Sequence, residues 1–267
     1  MTPVGQVVKE QISNIQIVFR MAAYEVKSKN QMNYLGVLWQ FLNPALQIVI
    51  YWFVFGVGIR KGLPVDNVPF LVWFIIGLIP WFFISPSIVQ GSNSIYSRIN
   101  LVSKMKFPVS ILPTVTMIGN SFNFFIMFFL LSIILVVYQV NPGYYLIQLP
   151  YFLICLFAFL FALTLTFSTI SIIVRDFQLI IQSGVRMMFF LLPILWDTSK
   201  LSHTLQTILK VNPVYYIIEG FRDTLLARRW FFEDLPYTIY FWSVTLFILI
   251  VGSIIHVKFR DKFVDYL

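Results

Sequence analysis

The chain has 267 residues, of which 59% are hydrophobic and only 11% are charged. A soluble protein of this composition would lack a polar surface, so the sequence indicates an integral membrane protein. The net charge of +8 does not indicate nucleic-acid binding, because the basic residues are dispersed between apolar runs and form no basic domain. A single cysteine, Cys155, excludes an internal disulfide and a cysteine metal cluster.

Residues 9–28 have the pattern of an amphipathic helix, with Ile12, Ile15 and Phe19 on its apolar face. The opposite face carries polar and basic residues, including Arg20. Because a long apolar run follows, the pattern predicts a helix in the headgroup plane, with its apolar face in lipid and its cations near anionic headgroups. A helix packed on a soluble partner would have the same pattern and stays an alternative.

Six apolar runs predict six transmembrane helices. The first run has 24 residues without a charged side chain, and Asn43-Pro44 interrupts it. Proline removes one helix hydrogen bond and can bend the helix, which suggests that this span forms the wall of a pathway rather than a simple anchor. The predicted spans are residues 36–59, 68–89, 111–138, 147–174, 177–196 and 236–257.

Residues 197–235 differ from the rest of the chain, because their apolar residues predict two short amphipathic helices. Asn212-Pro213 has the pattern of a helix N-cap followed by a first-turn proline. Each helix has about a dozen residues, too few to span a bilayer. The predicted fold is therefore an all-α polytopic membrane protein with one domain, residues 1–267, and two re-entrant or extracellular helices between spans five and six.

The distribution of basic residues predicts the orientation of these spans. Six spans place both termini on the same side of the membrane, and that side carries twelve of the Lys and Arg residues, against seven on the other. Because the side richer in Lys and Arg faces the cytoplasm, both termini are expected to be cytoplasmic.

Several kinds of chemistry are excluded or disfavoured by the sequence. No GxxxxGK[ST] loop occurs, so the chain has no nucleotide site of that kind. Spans one to four contain no Asp, Glu, Lys or Arg, which disfavours a proton-driven transporter, and the two histidines lack metal-ligand spacing. Glu219 and Asp223 share a helix face near Arg222, as a carboxylate pair for glycosyl transfer would, although a solvated, salt-bridged face is the more common structure.

Three functions stay open on these residues alone. One is a transport subunit whose energy comes from a separate ATPase. A membrane-embedded transferase acting on lipid-linked glycans would need clustered carboxylates and histidines at one membrane face, which are sparse in this sequence. A scaffolding subunit would have few polar residues within its spans, against which Asn43, Gln47, Asn120 and Asn123 argue.

The order of the motifs resembles the type-2 ATP-binding-cassette exporter permeases, which move polysaccharides and teichoic acids across bacterial inner membranes. The resemblance covers essentially the whole chain, and its strength lies in the spacing of individually weak motifs around six spans. These motifs are the amphipathic helix before Tyr34-Leu-Gly-Val-Leu-Trp39 and Asn43-Pro44, Lys104-Met-Lys-Phe-Pro108 with Pro113, Arg175-Asp176, and Asn212-Pro213 followed by Tyr216 and Arg222. Within the family, the chain looks most similar to wall-teichoic-acid translocation permeases, followed by O-antigen and capsule exporters.

The resemblance implies a homodimer bound to two copies of a separate cytoplasmic ATPase, which would hold ATP and Mg, so this chain is expected to bind no cofactor or metal and to be no enzyme itself. Segment 98–108 resembles the coupling helix that docks in a groove of that ATPase, and Arg175-Asp176 lies near a second contact. An ordinary positive-inside loop is the alternative for this segment. The residues assigned to ATPase coupling are Arg98, Asn100, Lys104, Lys106, Phe107, Pro108, Arg175 and Asp176.

The implied substrate is a polymer attached to undecaprenyl diphosphate in the bacterial plasma membrane. A conduit for a sliding polymer needs aromatic faces and hydrogen-bonding groups, although single aromatic residues more often belong to the interfacial belt. Arg20 and Arg186 are the candidates for diphosphate binding, because a guanidinium can hold two phosphate oxygens. The conduit candidates are Trp39, Gln40, Asn43, Gln47, Tyr51, Trp73 and Trp81.

Overall fold

The computed structural model describes residues 2–31, 34, 36–59, 63–65, 68–99, 108–198 and 201–263. These residues form ten α-helices joined by turns and short 3-10 helices. The helices are α1 Pro3–Ser13, α2 Ile15–Gln31, α3 Trp39–Tyr51, α4 Phe70–Ser92, α5 Leu112–Val137, α6 Leu149–Ile173, α7 Phe177–Leu191, α8 His203–Lys210, α9 Pro213–Leu225 and α10 Leu235–Phe259.

Among the described residues, five helical segments are long and apolar enough to cross a membrane, which confirms the predicted all-α polytopic class. They are Phe41–Gly58, Phe70–Ser92, Val109–Val137, Gly143–Ile173 and Leu235–Lys262. Each overlaps one of the predicted spans.

The fifth predicted span, residues 177–196, forms a shorter helix than expected. Helix α7 has 15 residues and ends at Leu191. Leu192 precedes Pro193, and the proline ring disfavours the helical conformation at the residue before it. Leu192 accordingly has a ψ of 155°, in the extended region. The chain therefore leaves the helix five residues before the predicted boundary.

Helix α4 is the centre of the bundle and packs against α5, α6, α7 and α9. In its most apolar stretch of 18 residues, 78% of the residues are buried, and Trp73, Phe74 and Ile84 are among those with almost no exposed surface. A helix that is apolar on all sides needs such surroundings. In contrast, only 6% of Phe41–Gly58 is buried, so this chain leaves α3 largely uncovered. Helix α3 continues through Pro44 and becomes a π-helix from Trp52 to Ile59.

The predicted amphipathic helix, residues 9–28, is two helices. Helix α1 already begins at Pro3, because Thr2 caps it by accepting a hydrogen bond from the Gly5 amide at 3.3 Å. Asn14 ends this helix. Its φ is −113°, and its side-chain amide donates to the Glu10 carbonyl at 2.8 Å. The apolar face predicted to lie in lipid is partly exposed, since Ile12 is 69% exposed.

The helix ends define two opposite ends of the bundle. At the end that we call the terminal end, α1 contacts α10 and α2 contacts α5, and the buried residues Ile95, Leu112, Ile172 and Phe263 form one cluster. At the other end, the α9 end, the two short helices predicted within residues 197–235 are present as α8 and α9. These two helices contact each other. There Gln148 donates to the Arg229 carbonyl at 3.0 Å and accepts from the Phe231 amide at 2.9 Å.

Candidate functional site

A cavity of about 580 Å³ lies between α3, α4 and α7. Helix α3 contributes Asn43, Gln47 and Tyr51 to its lining, α4 contributes Trp81, and α7 contributes Arg186. The sequence had assigned the first four of these residues to a polymer conduit and Arg186 to a diphosphate. The structure thus brings together candidates that lie on three separate helices, and we call this space the conduit cavity.

One wall of the conduit cavity is aromatic. Phe189 contacts both other rings of this wall. The centroid of the Phe189 ring lies 5.2 Å from that of Tyr51 and 5.9 Å from that of Trp81. These separations are in the range of favourable aromatic pairs, so the rings hold one another in place. Asn43 and Gln47 are exposed on α3 and supply amide groups beside this wall. The cavity therefore combines flat apolar faces with hydrogen-bond donors and acceptors.

Arg186 is the charged residue among the described residues that line the conduit cavity. Helix α7 buries Ile181, Val185 and Phe189 in the core, whereas Arg186 is exposed. Packing of the buried residues fixes the orientation of the helix and so keeps Arg186 on its exposed face. Within the described part of the chain, its guanidinium has no ion-pair or hydrogen-bond partner. An arginine in an apolar helix without such a partner is free to bind an anionic ligand.

The other conduit and diphosphate candidates lie elsewhere. Trp39, at the start of α3, is 39% exposed and is not part of the described cavity lining. Trp73 lies at the α9 end, and Arg20 is exposed on α2. The side chain of Gln40 is outside the described residues.

Part of the predicted coupling segment is described. Arg98 forms an ion pair with Glu25 of α2 and donates to the Ser94 carbonyl at 3.0 Å. Pro108 precedes the short 3-10 turn that leads into α5. The predicted coupling residues Asn100, Lys104, Lys106 and Phe107 lie outside the described residues.

The second predicted coupling contact lies beside the entry to this segment. Arg175 and Asp176 are both exposed at the turn between α6 and α7. The guanidinium carbon of Arg175 lies 5.5 Å from the ring centroid of Tyr96, two residues before Arg98. This distance is within the range of a cation–π interaction. The fold therefore places Arg175 close to the described border of the predicted coupling segment, at Tyr96 and Arg98.

Glu219, Asp223 and Arg222, which the sequence places on one helix face, belong to a largely buried charge cluster at the α9 end. Arg222 is fully buried and donates to Glu219 at 2.6 Å, to the Ile194 carbonyl at 3.3 Å and to the Trp73 carbonyl at 3.4 Å. Its guanidinium carbon lies 3.5 Å from the Trp73 ring centroid. The expected salt bridges are present, but the expectation that their helix face is solvated is wrong. Gly77 of α4 leaves room for this side chain, since a Cβ at this position would lie 2.5 Å from the Arg222 guanidinium.

Both carboxylates of this cluster are occupied by arginines. Glu219 also accepts from Arg228 at 3.5 Å, and Asp223 accepts from Arg229 at 2.6 Å. Burial raises the pKa of Asp223 to about 6, although Arg229 acts to lower it. Burial also lowers the pKa of Arg222, and Glu219 partly offsets this effect. The pair that a glycosyl transferase would use is thus held in ion pairs, and no group of metal ligands occurs among the described residues.

Residues 17–226 match the family model described as ABC-2 type transporter. The chain is 27% identical to the O-antigen export system permease protein RfbA of Myxococcus xanthus over 251 residues, which cover 93% of this chain and 94% of the relative. It is also 26% identical to an O-antigen export system permease protein RfbA of Klebsiella pneumoniae over 244 residues, 91% of this chain and 92% of the relative. Because the family model spans most of the helical bundle, from α2 to α9, this chain belongs to the ABC-2 type transporter family.

Proposed function

We propose that this chain is the membrane subunit of an ATP-driven exporter that moves an undecaprenyl-diphosphate-linked polymer across the bacterial plasma membrane. Membership of the family supports a transport permease that pairs with an ABC ATPase subunit, which would bind ATP and Mg. The observation that carries the proposal is the conduit cavity, where Arg186 lies beside aromatic and amide side chains.

Arg186 is proposed to hold the diphosphate of the lipid carrier. An arginine at the centre of a membrane helix costs about 2.5 to 3.5 kcal/mol on insertion scales, so a cation retained there needs a compensating contact. The planar guanidinium can donate to two phosphate oxygens at once, whereas lysine acts as a point charge. The aromatic wall and the amides of Asn43 and Gln47 would then contact the repeating units as the polymer moves.

A homodimer is proposed to complete the conduit. Helix α3 is hardly covered by its own chain, yet it exposes Asn43 and Gln47 among mostly apolar residues. In contact with lipid tails, these amides would lose their hydrogen bonds to water at a cost of several kcal/mol. A second copy facing α3 across a hydrated path removes that cost. This arrangement supports a conduit between two subunits.

Two polymers are candidates for transport. The sequence resemblance favours wall teichoic acid, a chain of polyol phosphates, whereas the names of the relatives favour an O-antigen polysaccharide. Expression of the permease and its ATPase in strains lacking either native exporter distinguishes them. Recovery of surface teichoic acid supports the first candidate, recovery of surface O-antigen supports the second, and recovery of neither polymer contradicts both.

Substitution of Arg186 is expected to weaken the response to substrate without preventing assembly. In proteoliposomes that contain the permease and its ATPase, Arg186→Gln should raise the lipid-linked polymer concentration for half-maximal ATPase stimulation by about 10- to 100-fold, since hydrogen bonds to charged groups contribute about 1.5 to 3 kcal/mol. Arg186→Lys should raise it less. The matched control is Lys258→Gln, which removes an exposed cation outside the cavity. Unchanged stimulation in both Arg186 variants would remove this residue from the site.

Both termini are proposed to face the cytoplasm, and cysteine labelling measures this. The native Cys155 is buried, so the natural chain should react little. In intact cells, an impermeant thiol reagent should label Asn141→Cys and Ser202→Cys at the α9 end, but not Asp261→Cys near the C-terminus, although all three positions are exposed. Labelling of Asp261→Cys in intact cells contradicts this orientation, whereas its labelling after permeabilisation serves as the control.

A further inference from the structure

The two N-terminal helices bind both borders of the predicted coupling segment, residues 98–108. At the first border, Glu25 of α2 forms an ion pair with Arg98. At the second border, Glu10 of α1 accepts a hydrogen bond from the hydroxyl of Ser110, and the Gln11 amide donates to the Ser110 carbonyl at 2.9 Å. The segment thus enters and leaves the bundle through contacts with one helix pair.

These polar contacts lie in sheltered positions on a packed base. The Arg98 and Glu25 side chains are each 20% exposed, and Ser110 is fully buried. Beneath them, Val18 and Ala22 of α2 pack against Ile111, which ends the 3-10 turn before α5, and against Val115 of α5. Partial burial reduces screening by water and salt, so such ion pairs hold their partners more firmly than fully exposed ones.

The helix pair also reaches two other parts of the permease. Glu10 accepts from Arg260 at 2.7 Å, which ties α1 to the end of α10. Helix α2 contacts the 3-10 turn Gly36–Leu38, which leads directly into α3. Because α3 supplies Asn43, Gln47 and Tyr51 to the conduit cavity, the helix pair connects the borders of the coupling segment to the cavity wall.

We propose that Glu10 and Glu25 are positioning residues for the coupling of ATP hydrolysis to transport. If only one of these borders were tied to the helix pair, the other border could shift without moving α1 or α2. Held at both borders, the segment moves α1 and α2 with it, and α2 passes the displacement to α3. This inference rests on the proposed function, since it assigns the energy input to segment 98–108.

The first experiment measures coupling in the permease–ATPase complex in proteoliposomes, as polymer exported per ATP hydrolysed. The double variant Glu10→Gln and Glu25→Gln should retain bound ATPase and basal hydrolysis but export about tenfold less polymer per ATP. A loss of this size is within the roughly 5- to 150-fold effects that are usual when two sites are coupled. The matched control is Glu233→Gln, an exposed carboxylate between α9 and α10 that should behave as the natural chain. An unchanged ratio in the double variant overturns the proposal.

A charge exchange separates positioning from a direct contact with the ATPase. Glu25→Gln and Arg98→Gln should each lower the coupling ratio, whereas Glu25→Arg combined with Arg98→Glu should restore it to within about twofold, because the exchange re-forms the pair. If Arg98 acts only by touching the ATPase, the exchanged chain stays uncoupled, and that result contradicts the role of Glu25.

A distance measurement tests the same inference without any polymer. Spin labels at Tyr24→Cys of α2 and Leu179→Cys of α7, both exposed sites, should change their separation when ATP binds to the complex. This change should shrink by at least about half in the Glu10→Gln, Glu25→Gln background, if both borders transmit the movement. A full change in that background overturns the proposal. If polymer export is absent but the distance change depends on the glutamates, the proposed substrate fails and the positioning role stands.

Discussion

Replacement of Arg222 by alanine is expected to prevent most of the protein molecules from reaching a stable folded state. The fully buried guanidinium joins three parts of the α9 end, since it donates to Glu219 on its own helix, to the Trp73 carbonyl of α4 and to the Ile194 carbonyl after α7. Removal of one member of a buried ion pair costs about 3 to 5 kcal/mol, a large part of the roughly 5 to 15 kcal/mol by which a typical domain is stable. The substitution also empties the space over the Trp73 ring.

The expected loss of stability is measured as a decrease in the monodisperse fraction after detergent extraction and as a lower midpoint of thermal unfolding. Arg222→Lys should recover part of the stability, because an ammonium keeps the charge beside Glu219 but lacks the planar fork that reaches two carbonyls. Arg20→Ala is the matched control, since Arg20 is exposed on α2 and its removal should alter stability by less than about 0.5 kcal/mol. Equal unfolding midpoints for Arg222→Ala and the control would show that the buried cluster contributes little.

Gly252→Ala is expected to separate two of the long helices. Helices α6 and α10 pack closely at this glycine, where an added Cβ would lie 2.1 Å from the Thr166 hydroxyl and 3.3 Å from the Thr166 Cα. The hydroxyl is not free to turn away at no cost, because it donates to the Ala162 carbonyl at 2.8 Å and to the Ile248 carbonyl at 3.2 Å. Small residues allow such close helix contacts in membranes. Overpacking should destabilise the permease by about 1 to 3 kcal/mol.

A second substitution and a glycine control make this expectation specific. Thr166→Ala removes the hydroxyl that the new methyl group meets, so the double variant Gly252→Ala and Thr166→Ala should recover much of the unfolding midpoint. Gly184→Ala should be neutral or slightly stabilising, since nothing lies within 4 Å of its added Cβ and alanine favours the helix. If Gly252→Ala and Gly184→Ala unfold at the same temperature, the close contact between α6 and α10 does not limit stability.

Local sequence patterns predicted the helices well and their partners poorly. Asn212-Pro213 does start a helix, with the Asn212 side chain accepting from the Val214 amide at 3.0 Å, because capping depends on neighbouring residues alone. The break at Asn14 and the early end of α7 were missed, since apolar periodicity does not register one side-chain hydrogen bond or the effect of Pro193 on Leu192.

The candidate site was predicted where residue type alone restricts the possibilities. Asn43, Gln47 and Arg186 stand out because polar residues are rare in membrane helices, and they do line one cavity. Trp73 could not be distinguished from Trp81 in the same way, since both lie on α4 among apolar neighbours. The buried position of Arg222 depends on contacts with residues more than 25 positions away, at Ile194 and Trp73, and periodicity carries no information on such contacts.

The unequal burial of α3 and α4 affects how this subunit can diverge. Substitutions in α4 meet neighbours on nearly every side, so few of them leave the bundle intact. Helix α3 touches little of its own chain, although it supplies much of the polar lining of the conduit cavity. Substitution of Asn43 or Gln47 therefore changes the hydrogen-bonding groups that line the cavity, whereas the packing around α4 stays the same. Under the proposed function, substitutions on α3 would therefore change polymer preference with little effect on the stability of the fold.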